Sequence, residues 1–136
     1  MSGIATAARV AALKERAARA RFAAAGVRSL AAADAVRVSS AQLAEFPGPG
    51  AGSADDLSAW HSHAELRVQA VRSAEGDAVQ AEADRAAALA EWQELSRRRE
   101  ALDEVLARWR QGQQAKADAA AQRLMDDLGR RRRDWS

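Results

Sequence analysis

The chain has 136 residues, with no cysteine, no tyrosine and two histidines, and carries a formal net charge of +2. Disulfides and thiolate metal sites are therefore excluded. Alanine accounts for 37 residues, so the 48% apolar share contains only 28 larger side chains. That is too thin for a compact two-layer domain of this size, whereas alanine and charged residues favour long helices. No run of about 18 apolar residues offers a membrane span. The start, with Arg9 and Lys14 among alanines, lacks the apolar stretch of a signal peptide and points to the cytoplasm.

Residues 1–45 form the first predicted element, a basic helix with seven basic and three acidic side chains. Between residues 4 and 45 there is one glycine, Gly26, and no proline. A 3–4 series runs Val10, Leu13, Ala17, Ala20, Ala24, Val27 and Ala31, breaks at Asp34 and resumes at Val38. This is the spacing of a coiled-coil seam.

Residues 46–56 form a Pro/Gly turn. The run from Phe46 to Ser53 holds both prolines and three of the eight glycines. Proline removes a backbone donor, and each glycine weakens a helix by about 1 kcal/mol against alanine. Ser53-Ala54-Asp55-Asp56 ahead of Leu57 then reads as a capping box, restarting a helix near residue 54.

The second predicted helix covers 54–128, with Gly76 and Gly112 but no proline. Its part over 57–98 is acidic: residues 55–96 hold nine acidic and three basic side chains. Over 57–82, Leu57, Trp60, Ala64, Val68, Val71 and Val79 fit an 11-residue step. From Leu89 the series Trp92, Leu95, Arg99, Leu102, Leu106 and Trp109 follows the a/d repeat. The end of the chain, 99–136, is basic again, residues 97–136 holding eleven basic and seven acidic side chains.

These elements predict an all-α fold: two long helices forming an antiparallel coiled-coil hairpin, the second longer than the first. The basic first helix lies along the acidic part of the second. Folding about residue 51 sets Leu43 near Trp60, Leu13 near Leu89, Val10 near Trp92 and Gly26 opposite Gly76. Pairing then ends near residue 98, and residues 99–136 overhang. The overhang carries Leu102, Val105, Leu106 and Trp109 along one side, then Leu124, Met125 and Leu128. An apolar stripe on an unpaired basic helix implies a partner. Arg97, Arg98, Arg99, Leu102, Leu106 and Trp109 are the candidate partner-binding residues, and Trp109 between Arg108 and Arg110 has hot-spot composition. Arg99 interrupts the apolar series, so it either snorkels or meets an acid. Arg130–Arg133 reads either as a grip on an acidic partner or as a solvated helix end that complements the dipole.

No catalytic constellation is present, and no cofactor is implied. His61 and His63, two residues apart on a helix, point away from each other and cannot share a metal. Glu91 and Glu94 lack the histidine of a carboxylate-bundle site. The glycines of the turn follow no strand and precede no Lys-Ser/Thr pair, so no phosphate loop exists.

Two stretches resemble the flagellar FliJ family, a small coiled-coil component of the flagellar export apparatus. One is Arg9-Val10-Ala11-Ala12-Leu13-Lys14-Glu15-Arg16. The other runs from Trp92 through Arg97-Arg98-Arg99 to Leu102 and Leu106, followed by a polar tail with Lys116, Asp118 and Asp126-Asp127. The resemblance implies a non-enzymatic stalk that sits in the hexameric ring of the export ATPase, links it to the export gate subunit and docks unladen export chaperones. In that family both termini are directed into the ring. Two other readings remain: a scaffold coiled coil that self-associates, and an arginine-rich nucleic-acid binder. The interleaved acids and the lack of aromatic stacking platforms count against the latter.

Overall fold

The computed structural model describes residues 2–135. They form two helices, α1 (Ser2–Ala44, 43 residues) and α2 (Ala54–Asp134, 81 residues), with no strand among the described residues. This is the expected all-α class with the longer second helix. The chain divides into two compact units: Arg16–Glu94, and the residues up to Glu15 together with those from Leu95 onward.

In the Arg16–Glu94 unit, which contains the turn, the two helices make an antiparallel hairpin. Arg21 donates to Glu91 at 2.6 Å and Ser29 Oγ to Glu82 at 2.9 Å. Phe22 stacks on Trp92 with ring centroids 5.5 Å apart, and the Arg85 guanidinium lies 5.4 Å from the Phe22 centroid. Phe22 thus stands where the sequence put Val10, a displacement of more than a heptad. Gly26 and Gly76 do not face each other closely, since a Cβ on either would meet nothing within 4 Å.

The reason lies at the turn. Ser53 Oγ accepts from the Asp56 N–H at 3.2 Å, and Asp56 Oδ2 accepts from the Ser53 N–H at 3.1 Å. This reciprocal box starts α2 at Ala54, as expected. The first residues of α2, up to Ala59, are all exposed, so the helix begins before it meets α1. Trp60 is the first to turn inward. Its ring stacks on Phe46 at 5.9 Å, its indole N–H donates to the Pro47 carbonyl at 2.7 Å, and Arg67 lies 4.9 Å from the Phe46 centroid. Phe46, rather than Leu43, is therefore the partner of Trp60, and the register starts late.

The inner face of α1 also differs from the predicted one. In this unit it reads Ala18, Phe22, Ala25, Ser29, Ala32, Val36, Ser39 and Leu43, all buried or half-buried. That is a 3–4 series on the opposite side of the helix from Ala17, Ala20, Ala24, Val27 and Ala31, which are exposed. The inner series sets two serines beside its apolar residues and the outer one is unbroken alanine and valine, so counting apolar positions does not separate them. The two phenylalanines do, and α2 offers them Trp60 and Trp92. On α2 the 11-residue spacing ends at Val71, and a heptad series through Ala74, Ala78, Ala81, Arg85 and Ala88 continues it. Ala78 takes the inner place expected for Val79, which is 73% exposed. Among the described residues no large side chain is fully buried. Alanine at these positions lets helix axes approach to about 8 Å, giving close packing with modest apolar burial.

Candidate partner interface

All six candidate residues lie in the unit formed by the two chain ends. Here too the helices run antiparallel. Arg99 Nη1 donates to Glu15 Oε2 at 3.0 Å, and Arg99 Nε lies 3.6 Å from Asp103 Oδ2. The Glu15 side chain is 6% exposed and that of Arg99 41%. Arg99 therefore meets an acid, and that acid belongs to its own chain. Glu15 occupies an inner seam position of α1, between Ala11 and Ala18, all three buried. A carboxylate there is tolerable only because a cation reaches it.

Pairing consequently extends past residue 98. Leu102, Leu106 and Trp109 continue the inner heptad of Arg99 and are half-buried, while Arg97 and Arg98 are exposed. A shallow groove beside this seam is lined by Ala7, Val10, Ala11, Lys14, Leu95, Arg98 and Leu102. The six residues do not form one exposed stripe. Arg99 and the three apolar residues belong to the interhelical seam, and Arg97 and Arg98 lie outside it. The signal for this was Glu15 itself: an acid in the series Ala8, Ala11, Glu15 and an arginine in the series Leu95, Arg99, Leu102 each break an apolar run.

Exposure becomes continuous further along. Residues 111–128 of α2 are all exposed. The helix is supported there by its own surface pairs: Gln114 to Asp118 at 2.9 Å, Gln122 to Asp126 at 3.1 Å and Arg130 to Asp127 at 3.2 Å. Pairs at these spacings add about 0.2–0.5 kcal/mol each to a helix that packs against nothing. Leu124, Met125 and Leu128 are each more than half exposed. Their 3–4 spacing sets them on one side of the helix. Arg131, Arg132 and Arg133 occupy the last turn and complement the helix dipole. The stretch thus combines a small apolar patch with a dense positive end, an arrangement suited to an acidic, partly apolar protein surface.

Among the described residues no group of histidines or acids could hold a metal ion. Nor, among the described residues, is any helix long and apolar enough to cross a membrane. Comparison with known protein families matches residues 5–133 to the family described as Flagellar FliJ protein. No curated protein and no solved structure matches the chain.

Proposed function

Since the chain belongs to the flagellar FliJ family, whose members are non-enzymatic components of the flagellar export apparatus, we propose that it acts as a coiled-coil stalk of that apparatus. It binds the export ATPase ring and links the ring to the export gate and to export chaperones, on the cytoplasmic side of the membrane. The observation that carries this reading is the exposed end of α2: a helix that continues from residue 111 with Leu124, Met125 and Leu128 uncovered and Arg130–Arg133 at its end.

In this reading the exposed end makes the contact with an acidic ring surface. Leu102, Leu106 and Trp109 anchor its base against the start of α1, Arg99 pins that base to Glu15, and Arg97 and Arg98 supply positive charge beside it. Truncating the three anchors would then disturb the paired seam as well as the contact. A cleaner test changes Leu124, Met125 and Leu128 to Ser, and separately Arg131 and Arg132 to Glu, in the full chain. Purified export ATPase is expected to bind the native chain and to bind both variants markedly less. Unchanged binding in both variants removes the exposed end from the contact. No ATPase binding by the native chain overturns the stalk. In that event, concentration-dependent self-association would favour the scaffold, and salt-sensitive binding of nucleic acid the arginine-rich binder.

A further inference from the structure

In the Arg16–Glu94 unit, α1 turns outward a face that the hairpin does not use. Ala20, Ala23, Ala24, Val27, Leu30 and Ala31 are all exposed, Val27 at 69% and Leu30 at 75%. Their spacing is the i, i+3, i+4, i+7 pattern of a helix face that docks another helix. These two branched residues are among the larger apolar side chains of a chain that has only 28. Ser29, by contrast, faces inward and bonds Glu82.

The surroundings of this face are basic, with Arg19 and Arg28 at its edges and Arg16 at its N-terminal end. Between residues 16 and 31 there are four arginines, Arg16, Arg19, Arg21 and Arg28, and no acid. Arg21 is bound to Glu91 at 2.6 Å. Arg16, Arg19 and Arg28 have no ion-pair partner among the described residues. An apolar strip edged by arginines that have no partner is complementary to one kind of occupant.

We infer that this face of α1 docks an acidic amphipathic helix of another protein, forming a three-helix arrangement with the hairpin. The strip supplies apolar contact, its alanines allow close approach, and glutamates or aspartates of the incoming helix meet Arg19 and Arg28 at its flanks and Arg16 at one end. A lipid surface fits less well. The strip has only two side chains larger than alanine and no aromatic, because Phe22 is turned inward onto Trp92. Nucleic acid would use the arginines and leave the apolar strip without a role. The inference does not depend on the stalk reading, which concerns a different part of the chain.

The test uses the full chain and two synthetic helical peptides of about three heptads with the same Leu/Ala seam. One has Glu at the flanking positions and the other Lys. Binding is followed by fluorescence anisotropy, and folding of each variant by circular dichroism. The Glu peptide is expected to bind and the Lys peptide not to. Val27→Asp with Leu30→Asp, and separately Arg16→Glu with Arg28→Glu, should each weaken the Glu peptide by about tenfold or more while leaving the helical signal unchanged. The inference is overturned if both peptides bind alike, if the Glu peptide fails to bind, or if either pair of substitutions leaves its affinity unaltered. It is equally overturned if the same substitutions instead abolish self-association or retention on vesicles of anionic lipid, since the face would then serve a second copy or a membrane.

Discussion

At the scale of single residues, the contact that most constrains the chain-end unit is the one between Glu15 and Arg99. A nearly buried carboxylate at a seam position loses hydration that only a cation and hydrogen bonds can replace. Removing Arg99 alone should therefore cost more than removing both groups. Arg99→Met is expected to lower unfolding free energy by about 1–3 kcal/mol. The double variant Glu15→Leu/Arg99→Met should recover most of that loss, as read from urea midpoints at constant slope. Equal stability of the single and double variants would show that the pair contributes no such specificity. A second comparison separates the two sides of α1. Phe22→Ala removes the stack on Trp92 and is expected to cost about 2 kcal/mol. Leu13→Ser, at a residue 61% exposed, should stay within about 0.5 kcal/mol of the native chain. The reverse order would restore the series through Val10 and Leu13 as the inner face.

At the scale of elements, the turn is the part whose chemistry was most legible. Two prolines, three glycines and the Ser53/Asp56 spacing identify the break and the restart, because each acts through its own local backbone geometry. Ser53→Ala should cost about 1 kcal/mol by removing the oxygen that accepts from the Asp56 N–H. Gly52→Ala should act on the same box, since a Cβ there would lie 2.7 Å from Asp56 Oδ2. Thermal melts of both variants check this, and an unchanged midpoint in Ser53→Ala would deny the cap any energetic role. The helices themselves were equally legible, alanine composition alone nearly dictating them. The register was not. It depends on how far α2 runs before Trp60 turns in, and on which of two candidate seams α1 buries. Both are decided by the fit of Phe22 and Phe46 to two tryptophans of α2, a long-range choice that local hydrophobicity leaves open. The chain has no cysteine, so the register can be read directly. A short bis-maleimide should link cysteines placed at positions 29 and 82, whose native side chains touch at 2.9 Å. It should not link cysteines at 29 and 73, the pair that the fold about residue 51 would have brought together.

At the scale of the whole molecule, charge and exposure are unevenly shared. The unit of the two chain ends holds thirteen basic and eight acidic side chains, and the Arg16–Glu94 unit eight basic and eleven acidic. The positive excess thus belongs to the unit of the two chain ends, and along the uncovered part of α2 it is confined to Arg130–Arg133. Spacing alone ends the pairing near residue 98 and so leaves Arg99, Leu102, Leu106 and Trp109 on an overhang, with Arg97 and Arg98 at its base. Arg99 instead reaches Glu15, Leu102, Leu106 and Trp109 are half-buried, and continuous exposure on α2 begins at residue 111. This gives a prediction about stability. A segment that buries no surface cannot contribute much to cooperative unfolding. A chain ending after Gln114 should therefore melt within about 2 °C of the full chain, while losing helical signal in proportion to the residues removed. In the intact chain, amides over 115–133 should exchange with solvent faster than those of 16–44, and trypsin should cut first at Lys116 and Arg123. A fall in melting temperature well beyond that margin would mean that the end of α2 packs against the rest of its unit in solution. It would then be unavailable for the ring contact proposed above, and the exposed arginines and leucines could not serve both purposes at once.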